Sequence, residues 1–289
     1  MKNVIFTASN LNTSSSFNNV YTSKFPSGSV AFKDESVSLC ELTIYNSFYN
    51  ITSSSTGSRY NNNTFQYIWV DGSVNSVVIP DGNYEYSGIN SYLISVLTNN
   101  NHYLIDSNGD NVYYLDISAS TTQYGVILSC YAVPSSLPSG WSLPSGATWS
   151  LLGSAQTPQF SILSSNNFYK IIGFTAGNYP STPQTSDYNV ISNLTPEINP
   201  SPVIFLNCSI ADNKCSIPQT FIYSFTTGNS SFGQSLTIRP PAYLWTPITS
   251  GQYKNIDISF TNAEGYPIYV NDTNLVVILA IESDSLIRV

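Results

Sequence analysis

The sequence predicts an all-β fold with one principal helix. Short apolar segments that alternate with polar residues recur along most of the chain, and turn residues separate them. One stretch, residues 87–99, instead repeats its apolar residues at the helical period. No internal repeat of fixed length is present, which argues against a propeller or a solenoid. These features together predict an antiparallel β-sandwich, and closing the edges of such sheets commonly produces a jelly roll.

The first predicted strands lie in residues 4–8, 29–32 and 36–44. In the third of them, the alternation of apolar residues slips by one position near Cys40 and Glu41. A slip of this kind within one strand is what a β-bulge produces. We therefore predict a bulged strand at this point.

A β-hairpin is predicted next. Residues 65–70 and 74–79 are rich in β-branched and aromatic side chains, and Asp71-Gly72 lies between them. Asp-Gly favours the positive φ angles that a tight hairpin turn requires, so the two segments should pair antiparallel. Pro80 ends the second strand because it has no N–H to donate to a neighbouring strand.

The principal helix is predicted over residues 87–99. Ser87 is the candidate N-cap, and Asn99 begins the polar run that ends the helix. The apolar residues of the stretch fall on one helical face, which should pack on the core. They are Ile89, Tyr92, Leu93, Val96 and Leu97.

Further strand segments follow the helix. They are predicted at residues 102–106, 112–117, 125–132, 203–210, 220–225, 235–238, 256–260 and 275–282. Residues 275–281 are apolar without alternation, so both faces of this strand should be covered. We expect it to lie centrally in a sheet or beneath another subunit.

Residues 134–202 form a Pro/Ser-rich stretch with few strand or helix signals. A strand at residues 160–163 and a helical turn at residues 167–172 are the exceptions. We predict an ordered surface insertion or elaborated loop within a single jelly-roll domain that spans residues 1–289. The aromatic residues that favour order over disorder in the insertion are Trp141, Trp149, Phe168 and Tyr169.

The composition favours a protein that packs against neighbours. Apolar residues make up 42% of the chain, but charged residues make up only 9%, where about 25% is usual. The formal charge of −8 disfavours direct binding to nucleic acid. The longest apolar run, residues 275–281, is too short to span a membrane, and no signal peptide is apparent. We therefore expect the protein to be cytosolic when it is made.

Residues that carry chemistry are scarce. His102 is the only histidine, so a metal cluster built on histidines is excluded, and we expect it to face solvent at the start of a strand. No nucleophile elbow and no phosphate-binding glycine loop occurs. We therefore predict no catalytic residue, no cofactor and no metal ligand. The four cysteines are too few for a disulfide framework and are expected to be reduced: Cys40, Cys130, Cys208 and Cys215.

Asp106, Asn108 and Asp110 are spaced like the first ligands of an EF-hand loop. However, Asn111 replaces the required glycine, and Ile117 replaces the bidentate glutamate. A hairpin loop is therefore the favoured interpretation, and weak calcium binding at this loop is left open.

Three blocks of the chain, residues 36–51, 65–97 and 203–281, resemble the penton, or minor capsid, proteins of virophages and Maverick/Polinton elements. The second contains the segment IPDGNYEYSGINSYL, and the third contains Ser216-Ile217-Pro218, Phe232-Gly233 and Pro240-Pro241. A mavirus-like virophage is the indicated type of source. The order of the blocks along the chain is more telling than any one of them.

This resemblance implies a single jelly roll that forms homopentamers at the icosahedral vertices of a virion. The implied partners are further copies of the chain and a double-jelly-roll major capsid protein. The alternative is a sugar-binding β-sandwich attachment module, which exposed rings of Trp141, Trp149 and Trp245 would favour. For these rings, packing in the core or at a subunit interface is the favoured interpretation.

Overall fold

The computed structural model describes residues 1–53, 61–199, 202–228 and 230–287. Residues 1–49 contain β1 (Lys2–Thr7), a short 3-10 helix (Ala8–Asn10), β2 (Val20–Lys24), β3 (Val30–Phe32) and β4 (Glu35–Tyr45). Residues 50–200 contain β5 (Thr64–Ile68), β6 (Val74–Val78), α1 (Tyr86–Asn99), β7 (Leu104–Ile105), β8 (Asn111–Val112), β9 (Leu115–Ala119), β10 (Val126–Cys130), β11 (Gln159–Ile162), α2 (Phe168–Ile172), β12 (Gly177–Tyr179) and β13 (Tyr188–Ile191). The remainder contains β14 (Ile204–Cys208), β15 (Phe221–Phe225), β16 (Ser235–Ile238), β17 (Thr246–Pro247), β18 (Gly251–Tyr253), β19 (Asn255–Asn262), β20 (Val276–Ser283) and α3 (Asp284–Ile287).

The chain divides into two compact units, residues 1–49 with 201–289, and residues 50–200. The expected insertion at residues 134–202 falls almost wholly in the second unit, and its residues 200 and 201 lie outside the described part of the chain. The arrangement of residues 1–289 as one domain stays a prediction. The jelly-roll strands themselves are interrupted between β4 and β14.

The first unit is a jelly roll. One sheet has the strand order β1-β20-β4-β16, with β17 also paired to β4, and the other has the order β15-β14-β19-β2. Numbered by their sequence among these eight main strands, the two sheets read 1-8-3-6 and 5-4-7-2, which is the double Greek key of a jelly roll. Every pairing is antiparallel. The predicted fold class is therefore confirmed.

Alternating apolar residues from both sheets fill a single core in this unit. Phe6, Leu39 and Leu279 come from the first sheet, while Leu206 and Phe260 come from the second, and all five are almost fully buried. Burial of apolar surface on this scale, at about 25 cal/mol per Å², is the main force that holds the two sheets together.

Two sequence predictions about the first sheet are confirmed. β20 lies between β1 and β4, so its apolar residues are central as expected. Its pairing with β4 shifts register between Ile278 and Leu279, opposite Cys40 and Glu41. This is the predicted bulge, because β4 there places two residues against one of its partner strand.

The described residues of the second unit form three small antiparallel sheets and the principal helix. The strand orders of these sheets are β12-β11-β5-β6, β13-β10-β9 and β7-β8. Helix α1 packs against β9, and its residues Ile89, Leu93 and Leu97 are fully buried in the core of the unit. The apolar face read from the sequence is therefore the core face of the helix. β12 and β13, which the sequence did not indicate, are short strands of the predicted insertion.

The hairpin β5-β6 forms as predicted, with Gly72 at a φ of 85° in its turn. The N-cap of α1 is Glu85 rather than Ser87, so the predicted cap is wrong. The helix begins at Tyr86, which puts Ser87 inside its first turn. Serine is a preferred N-cap residue, so Ser87 looked like a cap in the sequence. The N-cap is defined by its backbone dihedral angles, which the sequence does not show.

Candidate functional site

The outer face of the first sheet carries a partly apolar surface. Phe6 and Val4 of β1 point into the core, so Ile5 between them points outward, and 55% of it is exposed. Ile5 pairs with Ile278 of β20, whose neighbours Val277 and Leu279 are core residues. Two isoleucines from adjacent strands therefore lie side by side on the outside of the sheet.

The bulge in β4 extends this surface toward the other edge. Ile278 is paired with Glu41, and the neighbouring Cys40 lies with its sulfur 3.7 Å from the Tyr243 hydroxyl. The Tyr243 ring lies against that of Trp245, with centroids 5.1 Å apart. We call Ile5, Ile278, Cys40 and Tyr243 the outer patch. Leu244, which follows Tyr243, is 56% exposed.

The charges around the outer patch are paired with one another. The Arg239 guanidinium lies 3.0 Å from the Glu41 carboxylate, and Lys2 lies 2.7 Å from Glu35. The N-terminal ammonium lies 2.9 Å from Glu282, and its hydrogen bond holds the pKa of that carboxyl below its usual value. Exposed ion pairs of this kind add little stability. They do leave the first sheet close to electrically neutral around its apolar centre.

His102 does not face solvent, so the prediction of an exposed histidine is wrong. Only 5% of it is accessible, and its Nδ1 lies 2.7 Å from the Tyr67 hydroxyl. The imidazole stacks on the Trp69 indole, with centroids 4.7 Å apart. Burial lowers its pKa to about 4, and the nearby Asp71 carboxylate opposes this shift. The imidazole is therefore neutral near pH 7.

The hydrogen bonds of this histidine are structural in character. The Tyr67 hydroxyl contacts the imidazole and also accepts a hydrogen bond from the Asn100 amide at 2.8 Å. A Ser-His-Asp arrangement would instead place a serine and a carboxylate on the two ring nitrogens. Alternation along residues 102–106 gave no sign of burial, because His102 is covered by Trp69 and Tyr67 from a distant hairpin.

Asp106, Asn108 and Asp110 form the turn of the hairpin β7-β8, as the favoured interpretation predicts. The Asp106 carboxylate accepts hydrogen bonds from the backbone N–H groups of Asn108 and Asp110, at 2.8 and 2.9 Å. These bonds, that from Asp110 foremost, lower the pKa of Asp106. Its oxygens are therefore engaged by the loop itself. Among the described residues, no group of three or more His, Cys, Asp or Glu side chains is arranged to hold a metal ion.

The tryptophans pack in the protein or on other rings. Trp149 is buried, and its indole N–H donates to the Asn101 carbonyl at 2.6 Å, while Trp141 packs against the same core. Trp245 is half-buried beside Tyr243. The expectation of packing rather than a ring platform is thus confirmed for Trp149 and Trp141. In the described segments, no helix is both long and apolar enough to span a bilayer.

The comparisons with known proteins gave matches among solved structures alone. No family model matches the sequence. No curated protein matches it. The chain is similar to the SeMet-labelled mavirus penton protein in its crystal structure, with a TM-score of 0.40, 11% identity and 91% of each chain covered. It is also similar to a chain in the cryo-EM structure of the Sputnik virophage, with a TM-score of 0.38, 13% identity and 99% of each chain covered. The first of these is a penton protein, the kind of protein that the sequence resembles.

Proposed function

We propose that this chain is a structural protein of a virophage-type capsid. It forms a homopentamer at the icosahedral vertices and there contacts a double-jelly-roll major capsid protein. The observation that carries the proposal is the outer patch, an apolar surface on the outside of a jelly-roll sheet whose surrounding charges are already paired.

The chemistry of the outer patch supports an interface between subunits. The cores of protein interfaces are depleted in charge and rich in aromatic and apolar side chains, and the patch has both properties. A ring of five copies buries two different patches on each copy, so the outer patch supplies one half of the contact. A stable contact of this kind should bury more than about 1,000 Å² in total.

The resemblance in sequence supports the same assignment. Two of the three resembling blocks, residues 36–51 and 203–281, cover β4 and the strands from β14 to β20. These strands supply most of the jelly roll. The third block, residues 65–97, covers the hairpin β5-β6 and nearly all of α1.

The proposal gives the protein no enzymatic activity and no direct contact with nucleic acid. His102, the only histidine, is hydrogen-bonded to the Tyr67 hydroxyl, and its ring stacks on the Trp69 indole. The net charge of −8 opposes binding to phosphate backbones. The protein is proposed to reside in the virion, at the capsid vertex, after its synthesis in the host cytoplasm.

A polar groove beside β2 favours the sugar-binding alternative. It has a volume of about 550 Å³ and is lined by Ser9, Asn10, Leu11, Asn12, Thr13, Thr22, Ser23 and Lys24. Hydroxyl and amide groups suit the hydroxyls of a sugar, but this lining contains no aromatic ring on which a sugar could stack. A glycan array tests this function, and saturable binding that is lost in Asn12→Ala would establish it.

Native mass spectrometry tests the capsid proposal. We expect a pentamer from the unmodified chain and a folded monomer from Ile5→Asp, because the new carboxylate would be desolvated within the contact. The matched control is Ile217→Asp, which changes a residue that is 95% exposed in the loop between β14 and β15 and should leave the pentamer intact. A stable monomer or trimer of the unmodified chain at micromolar concentration, with the major capsid protein present, would contradict the proposal.

A further inference from the structure

The edge of the four-stranded sheet in the second unit is open at β6. This strand pairs with β5 and with no other described strand. The backbone N–H of Trp69 donates to the backbone carbonyl of Ser73, and the backbone N–H of Ile79 donates to the backbone carbonyl of Asn63. Because the bonded pairs of an antiparallel ladder alternate, the backbone groups of the alternate residues in β6 point away from β5. These residues are Val74, Ser76 and Val78.

The side chains of β6 leave this edge unprotected. Val74 is 59% exposed and Val78 is 53% exposed, whereas Val77 between them is fully buried. The strand has no charged residue and no proline, which are the usual devices that prevent a free edge from pairing with another chain. Among the described residues, the edge thus presents a row of backbone donors and acceptors that no other strand pairs with, and two exposed valines lie on one face of the strand.

We propose that β6 is a docking site at which an extended segment of a different protein adds as a further strand. In this mode of binding the backbone hydrogen bonds supply affinity and the alternate side chains supply specificity. The two exposed valines suit β-branched residues at the centre of the incoming segment. The ends of the segment are selected by charge.

An exposed carboxylate lies beyond each end of β6. Asp71 accepts a hydrogen bond from the Ser73 N–H at 2.9 Å, and Asp81 accepts one from the Ser53 N–H at 2.7 Å. Neither carboxylate is paired with a cation in the part of the chain that the structure describes. A segment with a lysine or arginine near each end complements this arrangement.

The same charges disfavour a second copy of this chain as the occupant. Symmetric antiparallel pairing of two β6 strands about Ser76 would oppose Asp71 of one copy to Asp81 of the other, since both lie five positions from Ser76. Like charges that face each other across a strand pair are destabilising. The occupant is therefore a heterologous, basic-ended segment.

Two fluorescently labelled peptides test this proposal by anisotropy. The probe is Ac-KTVTVTVTK-NH₂, and the control peptide has glutamate in place of both lysines. We expect saturable binding of the lysine peptide and at least about tenfold weaker binding of the glutamate peptide at low salt. The double variant Asp71→Asn with Asp81→Asn should remove most of this difference while the hydrogen bonds to Ser73 and Ser53 are kept.

Ser76→Pro tests the strand addition itself. Its N–H points to the open edge, so proline removes a donor from the docking site without removing a bond to β5. We expect about tenfold weaker binding of the lysine peptide or more, with Ser76→Thr as the matched control. Circular dichroism would verify that both variants fold.

Three results would overturn the proposal. The first is equal binding of the lysine and glutamate peptides, and the second is binding that Ser76→Pro does not weaken. The third is a dimer of the unmodified chain in light scattering that becomes monomeric in Ser76→Pro, which would make a second copy the occupant.

Discussion

His102 and Trp69 stack face to face in the core of the second unit, with ring planes 6° apart and centroids 4.7 Å apart. The neutral imidazole fits this apolar position, but the imidazolium would have to be desolvated there. The only histidine of the chain therefore couples folding to pH through burial rather than through catalysis.

The first prediction follows from the sign of this coupling. The pKa of His102 is about 4 in the folded state and about 6.5 when it is unfolded, so the unfolded state binds more protons between these values. The stabilising contribution is complete above pH 6.5 and falls as the pH is lowered toward 4, by about 3 kcal/mol in total. Urea unfolding of the unmodified chain and of His102→Asn at several pH values measures this pH-dependent part of the free energy of unfolding. Equal pH slopes for the two proteins between pH 6.5 and 4 would contradict it.

The second prediction concerns the core face of α1. Leu93→Ala should lower the free energy of unfolding by about 2–5 kcal/mol, because Leu93 is fully buried and its truncation leaves a cavity. The control is Ser91→Ala on the exposed face of the same helix, where the serine hydroxyl donates only to the Ser87 carbonyl. This change should alter the free energy of unfolding by no more than about 0.5 kcal/mol. Similar losses from the two variants would mean that the leucine face is not the packed face.

The third prediction separates the two faces of β20. Ile278 is partly exposed on the outer patch, so Ile278→Asp should leave a folded chain that does not form rings. Leu279 is fully buried in the jelly-roll core, and Leu279→Asp should unfold the first unit, because an isolated buried carboxylate costs several kcal/mol. Circular dichroism and native mass spectrometry distinguish the two outcomes. A ring that survives Ile278→Asp would exclude the outer patch from the contact.

The fourth prediction concerns Gly173, which ends α2 with a φ of 72°. A Cβ atom at this position would lie 2.5 Å from the Leu194 carbonyl oxygen. Gly173→Ala should therefore lower the free energy of unfolding by more than about 1 kcal/mol. Gly153→Ala is the control, since no described residue other than its two chain neighbours has a heavy atom within 4 Å of the Cβ position, and its φ is not in the left-handed region. Equal thermal midpoints for the two variants would contradict this prediction.

Local sequence patterns were sufficient to predict features that depend only on one segment or on two neighbouring segments of the chain. The helical repeat of Ile89, Leu93 and Leu97 indicated the buried face of α1, and Asp71-Gly72 indicated the hairpin. The bulge was visible because its slip in alternation is confined to β4 itself.

The remaining features depend on partners that are distant in sequence. Ile5 fits the alternation of an ordinary strand residue. Whether it belongs to an apolar surface depends on the strand that pairs with β1, and that strand is β20, which places Ile278 opposite Ile5. His102 is covered by Tyr67 and Trp69, and no periodicity around residue 102 reports those rings. The outer patch and the buried histidine could therefore not be found from sequence alone.

The position of β20 has a consequence for how the protein folds as it is synthesised. β1 and β4 are not neighbours in the first sheet, because β20 lies between them and pairs with both. During synthesis, β1 and β4 cannot join the same sheet until β20, which begins at residue 276, has emerged from the ribosome. Residues 50–200, which form the second unit, have all been synthesised well before that point. We expect the intervening unit to acquire protection from proteolysis first, while the jelly roll closes only after translation has passed its last strand.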